Sequence, residues 1–512
     1  MNFTYFIFFV CIVVCTLIIT YWAARKSKTT IQFYTAAGSL TGVQNGMAIA
    51  GDYISAASFL GIIGQIALYG FDGFLYSVGF LVSYLVVLLF VAEPVHHLGK
   101  FSLADVIVAR FPNQHIRWII ALGSLIISVF YMIPQLVASG LLIRLLLDID
   151  YTTSVLIIGS LMTIYVVFGG MIATSWVQIV KTVLLLSSTF LLSLIVFSFY
   201  SWNMTDLIAE VKLGTPLGEQ FFLPGHLLQS PLEMFSLYLA LLLGTAGLPH
   251  ILIRFFTVKN GKEVRKSVLT ASGIIGFFYL MTFVLALGAA AVIGYDTLIA
   301  SDSTGNLAAP LLARALGGDF LLAFVSAVAF TTVVAVVAGL VISATTAFSH
   351  DIYHHIIKKG NTTEKEQLKA AQWSAFGIGI ISTLFALGLK DINVTFLVSL
   401  TFIVAASSIF PVLLFTIYWR RFSQAGAIIG MLAGLFSSMI LLLIGPHIMN
   451  VENGWILRDP VISLFNPGIV TIPIGFLSAI IGSYLFPDDG EFDFDAFSMK
   501  AQTGVDVRRE SR

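Results

Sequence analysis

Charge and cysteine are what this sequence has least of. Of its 512 residues only 11% are Asp, Glu, Lys or Arg, and 58% are hydrophobic, against roughly 25% and 45–50% in soluble domains. That balance excludes a water-soluble globule. The 27 basic and 27 acidic residues cancel, so no overall field points to nucleic acid or to an anionic macromolecule. The two cysteines, Cys11 and Cys15, stand four apart in an apolar stretch and read as buried thiols, not as a disulfide framework or a metal site. No Gly-rich phosphate loop with its lysine occurs, which argues against ATP-driven pumping and for an ion or solute gradient as the energy source. No Lys or Arg precedes the first apolar run, whereas Arg25, Lys26 and Lys28 follow it. This reverses the order of a secretory signal and reads as an uncleaved first span.

What the chain has in abundance is long apolar runs. Stretches of about 20 apolar residues cross a hydrocarbon core as helices, and thirteen are expected here: 4–24, 42–69, 74–94, 118–147, 152–172, 174–200, 233–256, 269–295, 319–348, 370–389, 394–418, 424–447 and 468–486. They are numbered as spans 1 to 13 below. The reading is thus an all-α polytopic membrane protein, with a transmembrane unit over 1–486 and a short cytoplasmic tail over 487–512. Lys and Arg collect in cytoplasmic loops, and this count places 22 of the 27 basic residues on one side, including residues 181 and 254. The expected orientation in the cell membrane is N-terminus outside and C-terminus inside. Neither the exterior loop near 201–232 nor that near 296–318 is large enough to be a domain.

Transporters built from inverted repeats place their sites at helices broken in mid-membrane, which show in sequence as paired Gly- or Pro-interrupted spans. Span 2 carries Gly46, Gly51, Asp52, Tyr53, Ser55 and Ser58, and span 7 carries Gly244, Thr245, Gly247, Pro249 and His250. The two stand five spans apart, as the first helices of two five-helix units would: spans 2–6 over about 42–200 and spans 7–11 over about 233–418. Small residues also serve close helix packing, but here two such clusters fall in register. Asp52 reads as the one carboxylate near mid-span, and an ionisable group there is a functional candidate. Lys181, Arg254 and Arg144 read as snorkelling from span ends, which leaves no central Lys or Arg. His96-His97 and His354-His355 read as loop pairs without metal-site spacing. A half-helix N-terminus cradles a carboxylate without a buried arginine, and Tyr53, Ser55, Tyr131, Gln135, Thr245 and Gly247 are placed to orient a substrate.

Several long motifs then appear in order: Phe33-Tyr-Thr-Ala-Ala-Gly38, Gln44 to Gly61, Phe168-Gly-Gly-Met-Ile-Ala-Thr-Ser-Trp176-Val-Gln178, Gly244 to Thr257, Ser326-Ala-Val-Ala-Phe330, Ala335-Val-Val-Ala-Gly339 and Ser349-His-Asp351. Through them the chain resembles the solute:sodium symporter family, closest to its cation/acetate members. The resemblance implies about thirteen helices in a five-plus-five inverted repeat of the leucine-transporter type. It also implies a sodium site drawing on backbone carbonyls of Ala50 and Tyr53, with Asp52 beside them and oxygens from span 9. Where the sugar and proline branches carry a hydroxyl pair on span 9, this chain reads Val334-Ala335-Val336, leaving Thr331, Thr332 and Ala335 as the candidates there. Gln178 likewise replaces an aspartate of those branches. Sodium and proton both stand as coupling ion.

The function expected is symport of acetate or a similar short monocarboxylate with a cation, without a cofactor, enzymatic activity or nucleic-acid partner. Its partners are a small organic anion, the coupling cation and the lipid bilayer. A symporter of another small solute such as an amino acid is the alternative in the same class. A sensor would carry a signalling domain, and a channel a charged ring or a repeated filter; neither pattern is present in the sequence.

Overall fold

A backbone without water must satisfy its polar groups internally, which in this chain means helices. The computed structural model describes residues 6, 7, 10, 11, 13–15, 18, 21, 22, 29–167, 170–228, 230–451, 456–488 and 492–506. Among these, nine helices are long and apolar enough to cross a membrane: Phe71–Leu98, Gln114–Leu147, Met171–Phe199, Gly261–Val292, Ala308–Ile357, Glu364–Leu387, Val394–Tyr418, Gln424–Leu443 and Gly468–Leu485. Two further spans are bent pairs, Gly42–Tyr53 with Ala57–Tyr69 at 63° and Pro231–Gly247 with Pro249–Thr257 at 45°. These eleven answer to spans 2–4 and 6–13. Span 5 is the helix Tyr151–Val167, apolar over Tyr151–Met162. Span 1 lies largely outside the described residues.

Span 9 departs most from expectation. It runs 50 residues, Ala308–Ile357, against the expected 319–348. Hydropathy detects only the apolar middle of a helix; here the polar turns of residues 349–357 continue it at one end, and at the other an apolar stretch, residues 308–316, joins it across the glycine pair Gly317-Gly318. Its backbone breaks from helical geometry at Gly317 and Gly318, the latter at φ 64°, a left-handed value that glycine adopts without steric cost. The last eleven residues, Ala347–Ile357, wind as a π-helix. His354 and His355 therefore sit on a helix and not in a loop, with rings packed against each other and against His350. His96 and His97 likewise belong to a helix, Ala92–Leu98, and their Nδ1 atoms bond Phe255 O at 2.7 Å and Ala501 O at 2.9 Å. Cys11 and Cys15, expected to be buried, are exposed free thiols. That apolar run turns its thiols outward, where lipid and not protein would cover them.

The loops expected on the cytoplasmic side meet one another at one end of the bundle. Arg110 is buried there and spends its guanidinium on the frayed C-terminus of span 11. Nη1 donates to Phe415 O (3.3 Å), Thr416 O (2.8 Å) and Trp419 O (2.9 Å), and Nη2 to Arg420 O (2.8 Å) and Phe422 O (2.9 Å). A helix end leaves four carbonyls without partners, and a cation there also meets the negative pole of the helix dipole. Phe111 and Phe494 flank the guanidinium at 5.0 and 4.9 Å. The tail helix Phe494–Thr503 is thereby tied to the bundle. Hydrogen bonds to a charged group are worth about 1.5–3 kcal/mol each, without strict additivity. Arg110→Ala is therefore expected to destabilise the folded protein by about 3 kcal/mol or more. Arg110→Lys should recover less than half of that loss, because an ammonium cannot reproduce the planar fork. Thermal unfolding of the three proteins in detergent measures both.

Candidate functional site at the two breaks

Each break has a local cause. In span 7, Pro249 lacks an N–H and disfavours the helical region for the residue before it, so Leu248 sits at φ −80°, ψ 112° and Pro249 opens a new turn. In span 2 the last regular bond runs from Ile54 N to Ala50 O at 2.8 Å, and Ile54 then leaves the helix at ψ 88°. Glycines bring the breaks against their neighbours. A Cβ on Gly247 would meet Ala405 O at 2.6 Å, and one on Gly51 would meet Gln178 Oε1 and Thr182 Oγ1, both at 2.8 Å.

Asp52 lies at the span 2 break with no solvent exposure, and it is not alone. Arg254 Nε pairs with its Oδ2, and Gln178 Nε2 donates to its Oδ1 and, at 2.7 Å, to Ala335 O. Arg254 Nη1 continues to Ser175 Oγ at 2.7 Å. Lys181 Nζ donates to Gly51 O and, at 2.6 Å, to Ile54 O. Gly339 of span 9 faces the carboxylate so closely that a Cβ there would stand 2.3 Å from Oδ1. Spans 2, 6, 7 and 9 thus meet on one carboxylate.

This corrects the expectation that Lys181 and Arg254 snorkel to water and count as cytoplasmic charges. Both side chains are buried, at 0% and 1% exposure, which leaves 22 − 2 = 20 basic residues in the alternation. The reason is depth. Span 6 starts at Met171, so Lys181 stands ten residues inside it, about 15 Å along the axis at 1.5 Å per residue. A fixed carboxylate and free carbonyls at that depth offer a cation more than the long route to water does.

The remaining expected residues divide between the two walls. Tyr53 OH donates to Phe80 O (2.8 Å) and stands 3.0 Å from Ser83 Oγ and 3.3 Å from Thr245 Oγ1; Thr245 also donates to Ser83 at 2.8 Å. These hydroxyls knit span 2 to spans 3 and 7. Gln135 Oε1 accepts from Ala56 N at 3.2 Å, directly after the break, while its Nε2 is buried without a partner. Ser55 lies beside the Tyr131 hydroxyl, and Tyr131 packs on His250 with ring centroids 4.8 Å apart. Arg254 Nη2 and both His250 nitrogens are likewise buried without partners. On the cation side, Ala50 O accepts its helical bond from Ile54 N at 2.8 Å, and Gly51 O and Ile54 O, which flank Asp52 and Tyr53 in the chain, accept from Lys181. Thr331 and Thr332 turn their hydroxyls back to Val328 O of their own helix, at 2.9 and 2.8 Å.

A second charged cluster closes the end that carries Arg110. Arg117 Nη1 bridges Asp105 Oδ1 and Asp351 Oδ1, both at 2.7 Å, and Ser102 Oγ donates to Asp351 Oδ1 at 2.9 Å. Asp105, His350 and Asp351 bring ligand atoms within 4.8 Å of one another, but the guanidinium occupies the space between the two carboxylates. Burial pushes the Asp105 carboxyl up, yet His350 and Arg117 outweigh it and hold the group below the usual carboxylate range.

Removing one partner of a buried ion pair costs about 3–5 kcal/mol. Arg254→Met is expected to destabilise the protein by that amount, and the double variant Asp52→Asn/Arg254→Met by less than the sum of the single losses. Thermal unfolding of the four proteins measures the coupling.

Residues 33–434 match the sodium:solute symporter family profile. The chain is 57% identical over 514 residues to an uncharacterised symporter, YwcA, of Bacillus subtilis (strain 168), with all of both chains covered. In structure it is similar to the substrate-bound outward-open state of a Na+-coupled sialic acid symporter: TM-score 0.70, 16% identity, 96% of this chain and 100% of that one. It is also similar to Mhp1, a nucleobase-cation-symport-1 family transporter, with TM-score 0.53, 12% identity and coverage of 93% and 99%. The fold is therefore the all-helical, leucine-transporter type expected from the sequence. On these grounds the chain belongs to the sodium:solute symporter family, a multi-pass membrane protein that moves a small solute with a cation.

Proposed function

We propose that this symporter imports acetate or a similar short monocarboxylate, with the solute held at the breaks of spans 2 and 7. The observation that carries the reading is the charge of the buried centre. Lys181 and Arg254 stand against the single carboxylate Asp52, a formal surplus of one positive charge. An uncompensated charge in a low-dielectric interior is costly, and a carboxylate solute cancels it. Donors with no protein partner, Arg254 Nη2 and Gln135 Nε2, support an anion as well. Tyr53, Ser55, Thr245 and Gly247 are the wall residues beside them. An amino acid would add an ammonium to a site that already has a cation in excess, so the monocarboxylate is favoured over it.

The same reading takes spans 2–6 and 7–11 as the inverted repeats, with the bent spans 2 and 7 at matching positions, and puts the N-terminus outside and the tail in the cytoplasm. Uptake of labelled acetate into proteoliposomes tests it, with a sodium gradient and a proton gradient imposed one at a time. Accumulation above the external concentration is expected under at least one of them; accumulation under neither would refute symport of acetate. Asp52→Asn should reduce accumulation to the level of protein-free vesicles while the variant still purifies as a folded protein. Full accumulation by that variant would remove Asp52 from the mechanism.

A further inference from the structure

The break in span 2 ends a half-helix, and the end of a helix is its negative pole, with carbonyls that have lost their amide partners. Gly51 O and Ile54 O are such carbonyls, three residues apart on the last turn. In transporters of this architecture unwound carbonyls and half-helix C-terminal ends are where a coupling sodium or proton is held. Here Lys181 Nζ donates to both of them. The ammonium belongs to a side chain with no solvent exposure.

Most of the other oxygens within reach are also committed, the exceptions being Gln178 Oε1 and Ser55 Oγ, which are buried without a protein partner. Both Asp52 oxygens are engaged, Oδ2 by Arg254 and Oδ1 by Gln178. On span 9, Ala335 O accepts from Gln178 at 2.7 Å, and Thr331 and Thr332 direct their hydroxyls to Val328 O. Val334 and Val336 contribute only methyl groups towards their surroundings. A sodium ion binds through oxygens, and apart from Gln178 Oε1 and Ser55 Oγ each oxygen named here already accepts from, or donates to, a protein group.

We infer that the ammonium of Lys181 is the resident cation of this break: a tethered charge that fills the seat where a coupling sodium would bind, so that the protein takes no sodium there. Lys181 is then the residue that determines ion specificity. It acts by occupying the seat, held there by its hydrogen bonds to the two carbonyls and by the field of the nearby Asp52 carboxylate, whose direct ion pair is with Arg254. This inference rests on reading the break as the cation seat of a symporter. It does not depend on which solute is carried.

Its first test therefore uses no solute. Binding of 22Na+ to the purified full-length protein is measured at constant pH and ionic strength, with choline replacing sodium. The wild type is expected to show no saturable binding. Lys181→Ala removes the ammonium and its stem, and should gain saturable sodium binding together with a rise in thermal midpoint in sodium over choline. Lys181→Arg keeps a cation in place and should gain neither. Saturable binding by the wild type would overturn the inference, as would a folded Lys181→Ala protein that binds no sodium. Should that variant not fold, wild-type uptake under a fixed proton gradient decides: uptake unchanged when choline replaces sodium supports the inference, and loss of uptake overturns it. A protein that carries no acetate under any gradient refutes the substrate reading and leaves the binding measurement standing.

Discussion

A carboxylate cut off from water has to be neutralised by its neighbours, and that requirement on Asp52 governs how four spans meet. Span 7 supplies Arg254, span 6 supplies Gln178, and span 9 contributes the carbonyl of Ala335 and the bare backbone of Gly339. Each of these contacts also crosses a gap that apolar packing alone would fill without a preferred register. Apolar side chains in lipid gain little from choosing one helix neighbour over another. Directional bonds to a single buried charge supply the choice, and the broken backbone of span 2 is satisfied in the same step, through Lys181.

The centre and one end of the bundle solve the problem of buried charge in opposite ways. At the end, Arg117 stands between Asp105 and Asp351, with His350 at 3.5 Å from Asp105, and the carboxylates outnumber the permanent cation. In the centre the cations are in excess. The first arrangement joins the turn before span 4 to the end of span 9, and it leaves Asp351 Oδ2 without a partner. The second sets Lys181 and Arg254 against the one carboxylate of Asp52.

How much of this could be read from the sequence depends on which property carried the signal. Hydropathy placed spans 2–4 and 6–13 because burying about 20 apolar residues has few alternatives. The breaks were legible because Pro249 and the run from Gly46 to Ser58 leave a local backbone mark. What stayed hidden depends on contacts between distant spans. Lys181 and Arg254 are ordinary basic residues near the apparent ends of apolar runs, and only the position of Met171 and the bend at Leu248 bring them inside. One signal was available: a lysine ten residues into a helix has no short path to water. That Lys181 caps Gly51 O and Ile54 O was not legible, because it rests on which amide makes the last helical bond and on the position of a distant span. The outward thiols of Cys11 and Cys15 were misread for a related reason, since burial by lipid and burial by protein leave the same apolar pattern.

Gly339 gives the central charge its thinnest cover. Elsewhere around Asp52 a side chain intervenes; on this flank the carboxylate rests against main chain with no room for a methyl group. Exclusion of water there comes from closeness of approach, as in a gasket, and not from a plug of hydrocarbon. Parting spans 2 and 9 by the diameter of one water molecule would wet the carboxylate, while the same displacement between two Leu-lined helices would leave their interior dry. A parting of that helix pair would be felt first at the residue whose charge organises the rest.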